Sequence, residues 1–210
     1  MPFQCACFIS YPHNAGKSVD RFVTRLKQEL EDRVAQYVTD PVESDHDYPT
    51  GIDYHKRIAR RICESACLIV VYMPVYQRKP FCLQEYTAME RLQAHRLQRL
   101  KKDLSPTCGM IVPLVYTGVE QKIPQWISQR INYKDISKFT VSDPELVFGQ
   151  ADFQAWLGSM ADMIDTIYRE FQLAGVSPCD MCEELALPGE ADADVTSKLV
   201  VPIAPPESFR

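Results

Sequence analysis

Ala66-Cys67-Leu68-Ile69-Val70-Val71-Tyr72-Met73 carries no charge and is closed by Pro74. A run this short, apolar at every position and rich in branched and aromatic side chains, is a strand buried on both faces, which places it at the centre of a parallel sheet. On its amino-terminal side, residues 52–64 put Ile58 and Ile62 on one helical face and Lys56, Arg57, Arg60 and Arg61 on another. On its carboxyl side, residues 81–102 carry Tyr86, Met89, Leu92, Leu97 and Leu100 through a long helix. A strand between two helical patterns is the repeating unit of an α/β sandwich.

The same alternation extends in both directions. Residues 5–10 read as a first strand, and residues 18–34 as an amphipathic helix with Val19, Phe22, Val23, Leu26 and Leu30 at spacings of three and four. A brief run at 37–39 is the expected second strand, and the polar, turn-rich stretch 40–51, with Pro41, Pro49 and Gly51, is a loop. Residues 110–116 form a fourth strand whose Pro113 lacks a ladder donor, so the strand belongs near a sheet margin or is bulged there. A fifth strand is expected at 131–133. Phe153, Trp156, Leu157, Met160, Ile164, Ile167, Tyr168 and Phe171 keep helical spacing to the end of the domain. The expected fold is therefore α/β, a flavodoxin-like three-layer sandwich on a five-strand parallel sheet, spanning 1–175. Residues 176–210 form an acidic, proline-rich tail expected to have little independent structure. Its apolar patch at 199–203 could add as an edge strand to this sheet or to a partner's.

Composition narrows the function classes. The chain has 210 residues, 46% of them hydrophobic, with a net charge of −5. That balance lacks the basic footprint of a nucleic-acid binder. Eight cysteines stand without a basic, then apolar, leader. Cys7, Cys63 and Cys67 lie in or beside apolar runs, so a reduced, cytoplasmic chain is expected. The longest apolar stretch, 66–74, is far short of the roughly 20 residues that span a bilayer. Cys179-Asp180-Met181-Cys182 has metal-ligand spacing, but zinc needs four ligands and no second pair or nearby histidine follows. As a redox pair it is misplaced, since it follows the last helix instead of opening one beneath a strand. Phosphate-loop, zinc-protease and serine-hydrolase signatures are all missing.

In an open parallel sheet, ligands collect beyond the carboxyl ends of the strands. Three short motifs sit there: Phe8-Ile9-Ser10-Tyr11 ending the first strand, Met73-Pro74-Val75-Tyr76 closing the third, and Phe81-Cys82-Leu83-Gln84-Glu85 opening the next helix. In order and spacing they resemble the Toll/interleukin receptor (TIR) domain family, of bacterial type, over about 3–171. The first and third match the family pattern, and the second has Met73 where serine is usual. Two further departures are Pro12-His13-Asn14-Ala15-Gly16-Lys17 in place of an early acidic residue, and Phe81 in place of the commoner tryptophan.

The resemblance implies an NAD+ glycohydrolase of bacterial immune or anti-phage signalling, activated by assembly, with Glu85 catalytic. NAD+ would be substrate, and no cofactor or metal is called for. It would yield nicotinamide and ADP-ribose or a cyclic relative. The chemistry is coherent on its own terms. Nicotinamide leaves a cationic pyridinium as a neutral base, so no general acid is needed, unlike ordinary glycoside hydrolysis with its two carboxylates. One carboxylate can hold the ribose hydroxyls and stabilise charge developing at the anomeric carbon.

The plain alternative for Glu85 is a carboxylate favoured in a helix's first turn by the macrodipole. Ser10 and Tyr11 are expected to line the nicotinamide and ribose pocket, with Tyr76, Phe81 and the motif's Cys82 beside them; the alternative is that these aromatics roof the core. Gly51 matches the family's glycine in the loop after the second strand, or is an ordinary turn residue. His13 is a phosphate contact or a solvated loop residue. Lys56, Arg57, Arg60 and Arg61 are a solvated face or an assembly surface through which the chain meets itself or another protein of the same system. Rival functions are a non-enzymatic interaction module and a nucleoside-processing enzyme on a related sheet.

Overall fold

The computed structural model describes residues 3–44, 54–100, 109–117, 123–130, 133–140 and 144–199. Its elements run β1 (Cys5–Ser10), α1 (Lys17–Val34), β2 (Val42–Ser44), α2 (Tyr54–Glu64), β3 (Ser65–Tyr72), α3 (Pro80–Leu100), β4 (Ile111–Val115), α4 (Gln125–Ser128), β5 (Lys134–Asp135), α5 (Ser137–Thr140), α6 (Ala151–Ala174) and α7 (Ala193–Thr196). Short 3-10 helices occupy Pro74–Arg78 and Pro144–Gly149.

The sheet has the order β2-β1-β3-β4-β5, and every pairing is parallel. Every residue of β1, β3 and β4 is buried, as two covered faces require. The chain steps from β1 outward to β2 and then back across to β3. Right-handed crossovers therefore put α1 on one face and α2 and α3 on the other. α6 packs on α1, and α2 on α3, which completes the three layers. The reversal makes the gap between the ends of β1 and β3 the topological switch point, where this architecture places ligands.

Gly16 begins α1 at φ 118, a left-handed value that favours glycine, and its carbonyl accepts from the amides of Val19 and Asp20. Gly175 ends α6 at φ 62, with its amide bonded to the Gln172 carbonyl and the Val176 amide to that of Phe171.

The second strand is displaced from its expected place. Residues 35–37 continue α1 as a turn, with the Tyr37 and Val38 amides bonded to the Val34 carbonyl. Tyr37 is exposed, and its hydroxyl donates to Asp162 on α6. Pairing with β1 starts where the Pro41 carbonyl accepts from Ala6, so β2 lies inside the stretch expected to be loop. The fifth strand also falls later, at Lys134–Asp135, with 131 and 132 outside the described residues. Pro113 sits in an unbulged register opposite Val70. Tyr116 donates to Tyr72 of β3, and Val115 accepts from Ile136 on the β5 side. By alternation the Pro113 nitrogen faces β5, whose pairing begins only at Leu114.

One further expectation is corrected. Cys63 is not a free thiol: it forms a disulfide with Cys182. The segment after Gly175 is structured against the domain as far as Leu199, burying Cys179, Cys182 and Val195. Its acidic residues meet arginines of α3: Asp192 and Asp194 each lie 2.7 Å from Arg91, and Asp180 pairs with Arg99. Leu199 packs against the core, and the rest of the apolar patch at 200–203 lies outside the described residues. No helix among the described residues is long and apolar enough to cross a membrane.

Candidate active site

Ser10 is the last residue of β1, and β-alternation sends its side chain to the α3 face while Tyr11 turns toward α1. Past the end of β3, the 3-10 turn Pro74–Arg78 folds Tyr76 back beneath the strand ends, and α3 starts at Pro80. Proline suits a first helical position, where its missing N–H would have no helical partner. Glu85 is therefore in the second turn of α3, and no acidic residue occupies the first. The macrodipole account of Glu85 fails on this point, because that effect fades within the first turn.

Three side chains and one carbonyl meet here. The Ser10 hydroxyl donates to Glu85 Oε2 at 2.5 Å and lies 2.8 Å from the Tyr76 hydroxyl. Tyr76 in turn donates to the Cys82 carbonyl at 3.0 Å. Ser10, Tyr76 and Glu85 are each 0% exposed. Burial, with Cys82 and Glu85 nearby, holds the Tyr76 phenol well above its ordinary range, so it remains a neutral donor. Among the described residues the one other buried carboxylate is Glu64. It adjoins the start of β3, at the opposite, amino-terminal end of the strands, and is engaged by Arg60 and Arg61. Among the described residues the site thus offers a single buried carboxylate for charge stabilisation.

The remaining candidates are distributed around this centre. Tyr11 stacks on His13 with centroids 5.2 Å apart and lines a cavity of about 470 Å³ with Thr24, Lys27 and Ser44 on the α1 flank. Phe81 faces the start of α2, stacked on Tyr54 at 5.4 Å and edge-on to His55 at 5.1 Å. Cys82 joins the Glu85 cluster through its carbonyl. Gly51 lies outside the described residues. In the basic cluster, Arg60 and Arg61 pair with Glu64, and Arg61 also with Glu43 at 3.2 Å. No group of metal-ligating side chains occurs among the described residues.

The sequence reading passed over Trp126. Its ring lies 4.7 Å from Tyr86 and 6.3 Å from Tyr72, and Tyr72 is 6.2 Å from Tyr76, so an aromatic wall borders the cluster. The only local sign was Pro124, which stands at the start of the four-residue α4.

No curated protein and no solved structure gives a match to this chain. The family model of the TIR domain matches residues 7–146, from within β1 through the Glu85 helix and beyond β5. That match covers well over half of the chain, and the three motifs and all of the parallel sheet but the first two residues of β1 fall inside it. The chain belongs to the TIR domain family.

Proposed function

We propose that the chain is an NAD+ glycohydrolase of bacterial type, acting in the cytoplasm in immune or anti-phage signalling and switched on by assembly. The observation that supports this most directly is the position of Glu85. It is a buried carboxylate tied to Ser10 at 2.5 Å, at the switch point between β1 and β3. In the proposed reaction the C–N bond between ribose and nicotinamide breaks, and its electron pair leaves with the pyridine ring. Glu85 stabilises the cation at the anomeric carbon. Water then adds there, giving ADP-ribose and a proton, or an internal nucleophile of the same molecule adds and closes a cyclic product.

Ser10 orients the carboxylate through its hydroxyl, and Tyr76 holds Ser10 in place. Tyr11, Gly51, Phe81 and Cys82 are proposed to shape the surrounding pocket. Because Glu85 is closed to solvent in this conformation, substrate entry requires the cluster to open. Self-association through TIR surfaces, or binding to another protein of the same system, is the proposed cause of that opening.

Complete burial also favours a second reading, in which Glu85 is a structural hydrogen-bonding group and the chain is a non-enzymatic interaction module. Nicotinamide release from NAD+ separates the two, measured on the full chain forced to assemble by a multivalent tag, with deoxynucleosides as a parallel substrate. The expected outcome is release by the native chain and a loss of about 100-fold or more in Glu85→Gln, with the unfolding transition retained. Equal release by both proteins, or none from the assembled native chain, would leave the interaction module. Cleavage of deoxynucleosides instead would support the nucleoside-processing rival.

A further inference from the structure

Cys63 lies one residue before the end of α2, and Cys182 lies in the segment that follows α6, yet their Cα atoms are 5.3 Å apart and their sulfurs are bonded. Arg96 of α3 braces the same spot. Its guanidinium donates to the Cys63 carbonyl at 2.5 Å, the Ser65 carbonyl at 2.8 Å and the Pro178 carbonyl at 3.2 Å. From this anchor the segment returns along α3 toward its amino-terminal half. Asp180 pairs with Arg99, Asp192 and Asp194 pair with Arg91, and Lys198 reaches Glu90 at 3.0 Å. Residues 177–199 thus form a strap along the outer side of α3, covalently fastened at one end to α2.

Besides that fastening, the strap is held by the Arg96–Pro178 hydrogen bond, by the burial of Cys179 and Val195, and by ion pairs to α3. Arg91 and Arg99 are 47% and 42% exposed, and ion pairs of this kind contribute little in water. α7 is only four residues long. Cys182, though buried, is the most exposed cysteine among the described residues. Cys182 is 6% exposed in a segment of turns, whereas Cys5, Cys7 and Cys67 are 0% exposed within strands.

We propose that Cys63 and Cys182 are a reversible redox site, exchanged by small thiols and disulfides of the glutathione class, whose oxidised form holds the strap on α3 and whose reduced form frees it. In the reductive direction an external thiolate attacks the sulfur of Cys182. The S–S bond breaks and its electron pair goes to the sulfur of Cys63, which takes up a proton. A second external thiolate attacks the mixed disulfide, releasing Cys182 as a thiol and an external disulfide. Two external thiols are oxidised and one protein disulfide is reduced.

Cys179 is a bystander while the strap is closed. Its Sγ lies 3.6 Å from the Cys63 carbonyl, and burial pushes its thiol up, which disfavours the nucleophilic thiolate. The site acts independently of any NAD+ chemistry, and its test needs none.

The experiment equilibrates the full chain in buffers spanning reduced to oxidised glutathione, traps free thiols by alkylation, and maps linked peptides by mass spectrometry. Amide hydrogen exchange is followed in parallel. The expected result is a single transition in which Cys63 and Cys182 change together. Across that transition exchange within 177–199 slows about ten-fold or more on oxidation while 151–174 stays constant. Cys182→Ser should behave as the reduced chain at every ratio, and Cys179→Ser should keep both forms. Absence of the Cys63–Cys182 link at every ratio, a Cys179–Cys182 link in its place, or equal exchange of 177–199 in both forms would overturn the proposal. The native-chain comparison stands even if a variant fails to fold.

Discussion

Ser10, Tyr76 and Glu85 are separated by 66 and 75 positions along the chain from first to second and first to third, and they meet because β1 and β3 pair in register from Cys5 with Ser65 to Ser10 with Val70. Tyr76 is the test of that meeting. Its hydroxyl lies between Ser10 and the Cys82 carbonyl, while its ring only fills space. Tyr76→Phe should keep the packing and lose one buried hydrogen-bonding group, a cost of about 1 kcal/mol in denaturant unfolding. An unchanged midpoint would mean that the hydroxyl chain is idle. The motifs marked all three residues in advance. What they could not convey is where α3 begins, and with its start at Pro80 Glu85 falls in the second turn. Nor could they show that Phe81 turns to α2 while Tyr11 turns to α1.

The misplaced elements share one cause. β2 has only three residues, and its position follows from where Pro41 reaches the β1 ladder, not from the apolar run at 37–39, which α1's final turn takes over. α3 shows the converse. Its spacing of Leu92, Leu97 and Leu100 was legible, but Arg96 on the same helix is 1% exposed, where a charged residue would ordinarily be read as solvent-facing. Its burial makes sense only once the α2–β3 junction and Pro178 converge on it. Burial pulls its guanidinium down to about 10, still protonated at neutral pH, so three carbonyls retain a charged donor. Arg96→Leu should therefore destabilise the chain by about 2–4 kcal/mol. It should also raise amide exchange in 177–182 more than in α6. Equal protection of both segments would show that Arg96 does not hold the strap.

Across the whole chain, burial of tyrosine sets an alkaline limit. The phenols of Tyr72 and Tyr86 are pushed up to about 12 by burial, and burial also raises those of Tyr76 and Tyr168. An unfolded tyrosine ionises near about 10. Between those values the unfolded chain holds fewer protons than the folded one, so stability present below about pH 10 is lost as pH rises toward 12. Thermal midpoints should fall steeply through that interval, with phenolate absorbance appearing together with loss of the near-ultraviolet circular dichroism of the folded state. A full set of tyrosines titrating near 10 in the folded protein would contradict this.

The alternation of buried strands with amphipathic helices was written in the linear pattern, because side-chain periodicity is a local property of backbone geometry. So were the motifs at the strand ends, whose order survives without coordinates. The disulfide partner of Cys63, the burial of Arg96, the strap along α3 and the bond between Ser10 and Glu85 each join groups far apart in sequence. They arise because closing the three layers around one sheet removes water from those groups together. A buried charge or polar atom must then find its partner in whichever segment the packing brings to it.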